Sequence, residues 1–461
     1  MITLKDVKNI GYNNIQNFTD ENMITGFSTD SRKINRGDIF FALRGDNFDG
    51  HKFIEEVFKS GAALAVAEEK WFIDNKELCK DYPILIVKDT LQALAKFANY
   101  YRKQFSIPII AVAGSNGKTT TKDMIFSLLS KKYRTVKTEA NYNNYIGVPL
   151  TIFNIDKNKE IAVVEIGTNC PGEIEYLCKI LEPNFGIITN IGKEHLEYFK
   201  DIEGVRKEEI ALFDYLAGNE GTMFVNYDDE LVKKSVENYN KKVGYSFLNL
   251  TDYNGTILQN GDNKSKLKIV SKEKKEVCFI PSLPGKHNYT NFLAATTIGL
   301  EFDVEESLIE EACSNFKPSF GRMELMNWNN LIIVKDYYNS NPDSVQKGLE
   351  TLFEMSCKGK KILVLGDMLE LGSKSEYEHS DVSNVIKKYN FEYVLLFGKE
   401  SKHTYNSLKK EIKYCEHFDD KLLLTSELRK LSKDGDIVYI KGSRGMHMED
   451  IINNLTNSEK G

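Results

Sequence analysis

Short apolar runs recur along the chain, separated by stretches in which apolar residues fall three and four apart. Residues 107–113, 161–166 and 185–190 are continuous, rich in β-branched residues and bounded by turns. Strands buried on both faces of a parallel sheet read this way. Upstream, residues 40–43 and 62–67 read as short buried strands around a helix-like 51–60, and 91–105 carries a helical period. Residues 222–282 are more polar and punctuated by Gly and Asn, which predicts an antiparallel meander; Leu283-Pro284-Gly285 then opens another helix. From Phe316 onward, the runs 331–334, 361–366, 393–398 and 437–442 alternate with helices as in a doubly wound sheet. The pattern predicts an α/β protein of three domains. These are a small α/β N-terminal domain (1–104), a central P-loop-type domain with a mostly parallel sheet (105–315) and a C-terminal Rossmann-like doubly wound domain (316–461).

Composition narrows the function classes. With 461 residues the chain is long enough for several cores. Charged residues make up 28% and the formal net charge is −6, so no basic face for general nucleic-acid binding is expected. No run approaches eighteen apolar residues and the N-terminus lacks the apolar core of a signal peptide, so no membrane insertion is expected. The seven cysteines include no Cys-x-x-Cys pair, consistent with reduced thiols in the cytoplasm.

The densest chemistry follows the run 107–113. Gly114-Ser115-Asn116-Gly117-Lys118-Thr119-Thr120 leads into a helical pattern from Thr121 to Ser130. Strand, glycine turn and helix N-terminus form a phosphate cradle. Backbone N–H groups close on an anion, Lys118 supplies charge, and Thr119 offers a hydroxyl to the metal that accompanies a nucleotide. The spacing is shorter than the usual G-x-x-x-x-G-K-[ST]. ATP is the expected ligand, with Mg²⁺. Glu165 ends one apolar run, where a carboxylate is costly unless it meets a cation. His195 follows the next run after Asn190-Ile191-Gly192-Lys193-Glu194. Glu165, His195 and Thr119 are the candidate metal ligands; a capped surface histidine is the plainer alternative for His195.

These segments resemble the Mur ligase family, and the resemblance covers essentially the whole chain. The phosphate loop, Asn141-Tyr142-Asn143-Asn144-Tyr145-Ile146-Gly147-Val148-Pro149, Gly285-Lys286-His287-Asn288-Tyr289-Thr290-Asn291 and Gly321-Arg322-Met323-Glu324 resemble family motifs in family order. Asp336-Tyr337-Tyr338-Asn339-Ser340-Asn341-Pro342-Asp343-Ser344 and Leu365-Gly366-Asp367-Met368-Leu369-Glu370-Leu371-Gly372 resemble the branch that adds D-alanyl-D-alanine. The resemblance implies an ATP-dependent amide ligase joining D-alanyl-D-alanine to UDP-N-acetylmuramoyl-tripeptide through an acyl phosphate, acting as a cytoplasmic monomer. By the same resemblance Asn288, Asn291, Arg322 and Asp336 belong to the ATP side. Thr29, Asp30, Ser31, Arg32, Asn144, Lys441 and Arg444 belong to the substrate side. Taken singly, each of these polar residues also suits a capping or surface role.

One position departs from the family. Mur ligases place a carbamylated lysine after the histidine region, and aligning Gly204-Val205-Arg206-Lys207-Glu208-Glu209-Ile210 on that motif puts Glu209 there. Lys207, two residues earlier on a helix, points about 200° away. Glu209 is then an encoded carboxylate and a candidate catalytic residue, although its extended side chain falls roughly 3–4 Å short of a carbamate. The plainer alternative is an exposed helix acid.

Overall fold

The structure is a computed structural model and describes residues 2–19, 22–259 and 265–457. It divides into two compact units. One comprises residues 1–111, 134–167 and 173–184; the other comprises 112–133, 168–172 and 185–461.

The first unit carries a five-stranded sheet in the order Ile15–Gln16, Ile84–Val87, Leu64–Glu68, Asp38–Phe41, Gly26–Ser28. All neighbours are parallel except the first pair. Alternate residues of the same strands feed two cores. Ile39, Phe41, Val66 and Leu85 pack with Ala93, Leu94 and Phe97 of the helix Thr90–Arg102. Phe40, Ala65, Ala67 and Ile84 pack on the other face with Ile54 and Val57. The predicted helix 51–60 begins as a tight turn, Gly50–Phe53, before Ile54–Lys59 becomes α-helical. The same unit holds the parallel pair Thr135–Lys137 and Ile161–Glu165.

In the second unit, Phe185–Ile188, Thr222–Asn226, Lys242–Ser246 and Tyr253–Gln259 pair successively and in parallel. Ser265–Ser271 and Glu276–Phe279 continue antiparallel. The predicted meander is therefore confined to the last three strands. Between Thr222–Asn226 and Lys242–Ser246 the chain crosses over through the helix Glu230–Ser235, which Asp229 caps by accepting the N–H groups of Leu231 and Val232 at 3.0 Å.

The C-terminal sheet runs Glu324–Trp328, Leu331–Asp336, Ile437–Lys441, Lys361–Gly366, Tyr393–Phe397, Tyr414–Phe418, with only the first strand antiparallel. The last strand in sequence returns between the second and third. This reversal brings the carboxyl ends of the strands that finish at Asp336, Lys441 and Gly366 side by side, where doubly wound sheets hold their ligands. Hydrophobic cores cover both faces. Glu324–Trp328 and Tyr414–Phe418, both partly exposed edge strands, lack the apolar run that announces the inner strands.

Candidate active site

The strand Ile109–Ala113 ends at Gly114, and the helix Lys118–Leu129 begins directly after Gly117. Both glycines have positive φ, +114° and +83°. A Cβ on Gly114 would lie 2.3 Å from Thr189 Oγ1, so the loop passes too close to its neighbour for any side chain. The helix has no side-chain cap at its N-terminus, which leaves its first N–H groups directed at whatever the loop encloses. Neighbouring strand ends hold the loop: Thr189 Oγ1 and Asn190 Nδ2 both donate to the Asn116 carbonyl at 2.7 Å. Ser115 N–H donates to the Asn190 carbonyl at 2.9 Å. Thr119 and Thr120 are buried on the first turn.

Lys118 folds back over the loop. Its ammonium donates to the Gly114 carbonyl at 2.5 Å and lies 3.3 Å from Glu194 Oε2. Glu209, on the helix Ile202–Gly218, is wholly buried, and its Oε2 accepts the Gly114 N–H at 2.6 Å. The exposed-acid alternative is thereby excluded, while Lys207 on the same helix faces solvent. Burial, and then the nearby Glu194 carboxylate, push the Glu209 carboxyl well above the usual carboxylate range; Lys118 and the Gly114 N–H oppose the rise.

Glu165 ends its strand 2% exposed. Asn143 donates to its Oε1 at 2.9 Å, and Oε2 has no donor. His195 adopts a left-handed backbone, φ +44°, at the start of the short helix Leu196–Phe199. Its Nδ1 lies 2.8 Å from Glu370 Oε2, and the imidazole draws the Glu370 carboxyl below its ordinary value. Within the second unit, Glu194 and Glu209 each carry a buried oxygen without a donor. Among the described residues no three His, Cys, Asp or Glu side chains converge closely enough to hold a metal ion.

On the nucleotide side, Asn291 stands against Gly117, its Oδ1 3.0 Å from where a Cβ would be. Asn288 donates to the Pro284 carbonyl at 2.7 Å and secures the entry to the helix Lys286–Glu301. The Arg322 guanidinium lies over the Tyr338 ring at 4.0 Å. Lys441 is 2% exposed, and its ammonium is engaged by Asp336 Oδ2 at 2.9 Å, the Asn339 carbonyl at 3.2 Å and the Asp336 carbonyl at 3.5 Å. That ammonium is committed inside the C-terminal sheet. Arg444 stays half-exposed and pairs with Glu449. In the first unit, Asp30 takes the exposed Arg32 guanidinium in two hydrogen bonds of 2.8 Å beside Thr29 and Ser31. Asn144 Oδ1 accepts the Ile146 and Gly147 N–H groups at 3.1 and 3.0 Å in the turn that leads into the helix Gly147–Phe153.

Several residues at the site carried no role in the sequence reading. Glu194 is one, although it adjoins His195. Asn341 donates to Asn116 Oδ1 at 2.9 Å, and Asp343 accepts the Lys193 N–H. Lys193 in turn pairs with the buried Glu378 at 2.8 Å. Asn341, Asp343 and Glu370 all lie in the two quoted motifs of the C-terminal segment, and that was the available signal.

Three family models match successive segments of the chain. Residues 23–102 match the Mur ligase family catalytic domain, 112–299 the Mur ligase middle domain and 321–444 the Mur ligase glutamate ligase domain. The UDP-N-acetylmuramoyl-tripeptide–D-alanyl-D-alanine ligase of Bacillus subtilis (strain 168) is 33% identical, over 95% of this chain and 94% of its own. Among solved structures, MurF from Acinetobacter baumannii superposes with a TM-score of 0.88 at 26% identity, covering 98% of both chains. The MurF ligase of Thermotoga maritima in complex with ADP gives 0.83 at 26% identity, covering 96% of this chain and all of its own. The chain belongs to the Mur ligase family, in the branch of the UDP-N-acetylmuramoyl-tripeptide–D-alanyl-D-alanine ligases.

Proposed function

We propose that the chain joins D-alanyl-D-alanine to UDP-N-acetylmuramoyl-tripeptide at the expense of ATP, in the cytoplasm and as a monomer. The observation that carries this reading is the uncapped, glycine-bounded loop 114–120, with Lys118 folded over it beside buried carboxylates. ADP in the similar Thermotoga maritima structure supports ATP as the nucleotide. Among the described residues no helix is long and apolar enough to cross a membrane.

The terminal carboxylate of the tripeptide attacks the γ-phosphorus, and the bond to ADP breaks. The amine of D-alanyl-D-alanine then attacks the acyl-phosphate carbon, loses a proton and expels inorganic phosphate. Two anions must meet in the first step, so fixed positive charge at the loop is the main requirement. Lys118 turns its ammonium to the transferring phosphoryl group, and the uncapped N–H groups from Gly117 to Thr120 hold the phosphates. Thr119, Glu165 and His195 would hold Mg²⁺, which screens phosphate charge when bound. Asn288, Asn291, Arg322 and Asp336 serve the nucleoside side, while Thr29 to Arg32, Asn144 and Arg444 serve the uridine nucleotide and the peptide. Domain boundaries near 104 and 315 separate these tasks.

Phosphate release with UDP-N-acetylmuramoyl-tripeptide, with and without D-alanyl-D-alanine, tests the reading. Release that needs both substrates supports it. Release with single amino acids but not with the dipeptide rejects it.

A further inference from the structure

The helix Lys118–Leu129 carries the phosphate loop at its start and a buried ion pair on its second turn. Lys122 is 1% and Asp123 6% exposed, and the ammonium lies 3.0 Å from Asp123 Oδ1. Consecutive helical positions diverge by about 100°, so the helix period does not bring these two side chains together. The other carboxylate oxygen, Oδ2, accepts the Ser319 hydroxyl at 2.5 Å, from 196 residues away in sequence. A buried ion pair adds little net stability, because desolvation cancels most of the attraction. This one holds a carboxylate oxygen at a fixed place beside residue 319.

Ser319 belongs to an irregular segment between the helix Glu306–Ser314 and the strand Glu324–Trp328. Two residues on, Gly321 turns with φ +68°, and its carbonyl accepts the Tyr338 N–H at 3.0 Å. A Cβ at that glycine would meet the Tyr337 ring at 3.0 Å. Arg322 follows, its guanidinium over Tyr338, and its Nε is buried without an acceptor. A buried guanidinium N–H is costly to leave unpaired, so Nε points to an acceptor that a ligand supplies.

We propose that Asp123 is a positioning residue for Arg322. Braced by Lys122, it anchors Ser319, and the short step from Ser319 to Arg322 sets where the guanidinium stands relative to the phosphate loop. The inference rests on the ATP reading above, in which Lys118 and Thr119 meet the phosphates and Arg322 serves the nucleoside side. One helix then registers both ends of the nucleotide, its start directly and its second turn through Ser319. Asp123 lies about 7.5 Å along the helix axis from Lys118, a spacing fixed as long as the helix holds.

The test is binding of β,γ-imido-ATP to the full chain, by titration calorimetry, in variants that leave the Lys122–Asp123 pair intact. Ser319→Ala is expected to weaken binding about ten-fold, the size of one hydrogen bond to a charged group. Ser319→Thr, which keeps the hydroxyl, should bind as wild type does. In an Arg322→Ala background, Ser319→Ala should add nothing, because the group it positions is gone. Unchanged affinity in Ser319→Ala overturns the proposal. So does an equal loss in both backgrounds, which would make Ser319 a structural support with no bearing on Arg322. A wild-type chain that binds no nucleotide fails the ATP reading itself, whereas wild-type binding with an indifferent Ser319→Ala fails this inference alone.

Discussion

Asp343 accepts the Lys193 N–H at 2.6 Å, and the same Oδ2 atom stands 2.3 Å from where a Cβ on Gly192 would lie. A residue at the start of the helix Pro342–Glu354 thus clamps the loop that delivers Glu194 and His195, and only glycine at position 192 leaves room for it.

Asp343→Ala should free that loop. Misplacing a reacting or ligating group by about 1 Å costs on the order of 100-fold in rate, so kcat should fall about 10- to 100-fold. Asp343 lies partly exposed, and the melting temperature should move little. Gly192→Ala should act in the same direction by displacing Asp343. Steady-state phosphate release beside a thermal melt checks both; a large loss of stability with normal kcat in the survivors refutes the positioning role.

Lys118→Ala should lower turnover by about 100-fold or more, because the transferring phosphoryl group loses its fixed cation. Lys118→Arg should not restore it, since a planar fork cannot copy an ammonium folded over the Gly114 carbonyl. Retained phosphate release in the alanine variant would refute the assignment.

Lys441 and Asp336 form a largely buried pair, with Tyr439 also donating to Asp336 at 2.8 Å. Lys441→Met strands a carboxylate and should cost about 3 kcal/mol. Adding Asp336→Asn should recover part of that loss. Urea unfolding of the single and double variants measures it. If Lys441→Met leaves stability intact and raises KM alone, the ammonium contacts substrate and the structural role is wrong.

His379 is buried, with Nδ1 donating to the Ser375 carbonyl at 2.8 Å and Nε2 accepting the Met368 N–H at 2.9 Å. That geometry requires the neutral ring, and burial lowers its pKa below the usual 6.5. Below that value the unfolded chain binds a proton that the native chain refuses, so stability should fall as pH drops through 6.5 and below. His379→Gln should flatten this slope in melts recorded from pH 7.5 to 5. An unchanged slope would show that another group sets it.

What could be read in advance follows burial. The inner parallel strands are apolar throughout because both faces are covered, so Ile109–Ala113, Ile161–Glu165 and Ile437–Lys441 announced themselves. Thr222–Asn226 and Lys242–Ser246 did not, since polar residues at their ends mimic a solvated meander. The phosphate loop was legible because its chemistry is contiguous. The Lys441–Asp336 pair spans 105 residues, and no local pattern reports it. Glu194 was missed because a carboxylate between Lys193 and His195 looks like surface charge. Only the fold turns it inward, toward Lys118 and Glu209.

Glu208 and Glu209 are consecutive, yet both are buried. Glu209 holds the Gly114 N–H, while Glu208 accepts the Gly172 N–H at 2.7 Å and the Thr168 hydroxyl at 3.2 Å. One helical turn thus fastens two separate loops by adjacent side chains. The helix behaves as a gauge rod: a tilt or slide along its axis displaces both loops by the same amount. An inserted or deleted residue upstream in that helix would rotate the pair by about 100° and release both loops at once. Tolerance to length change should be lowest there, far below what its surface-facing neighbours suggest.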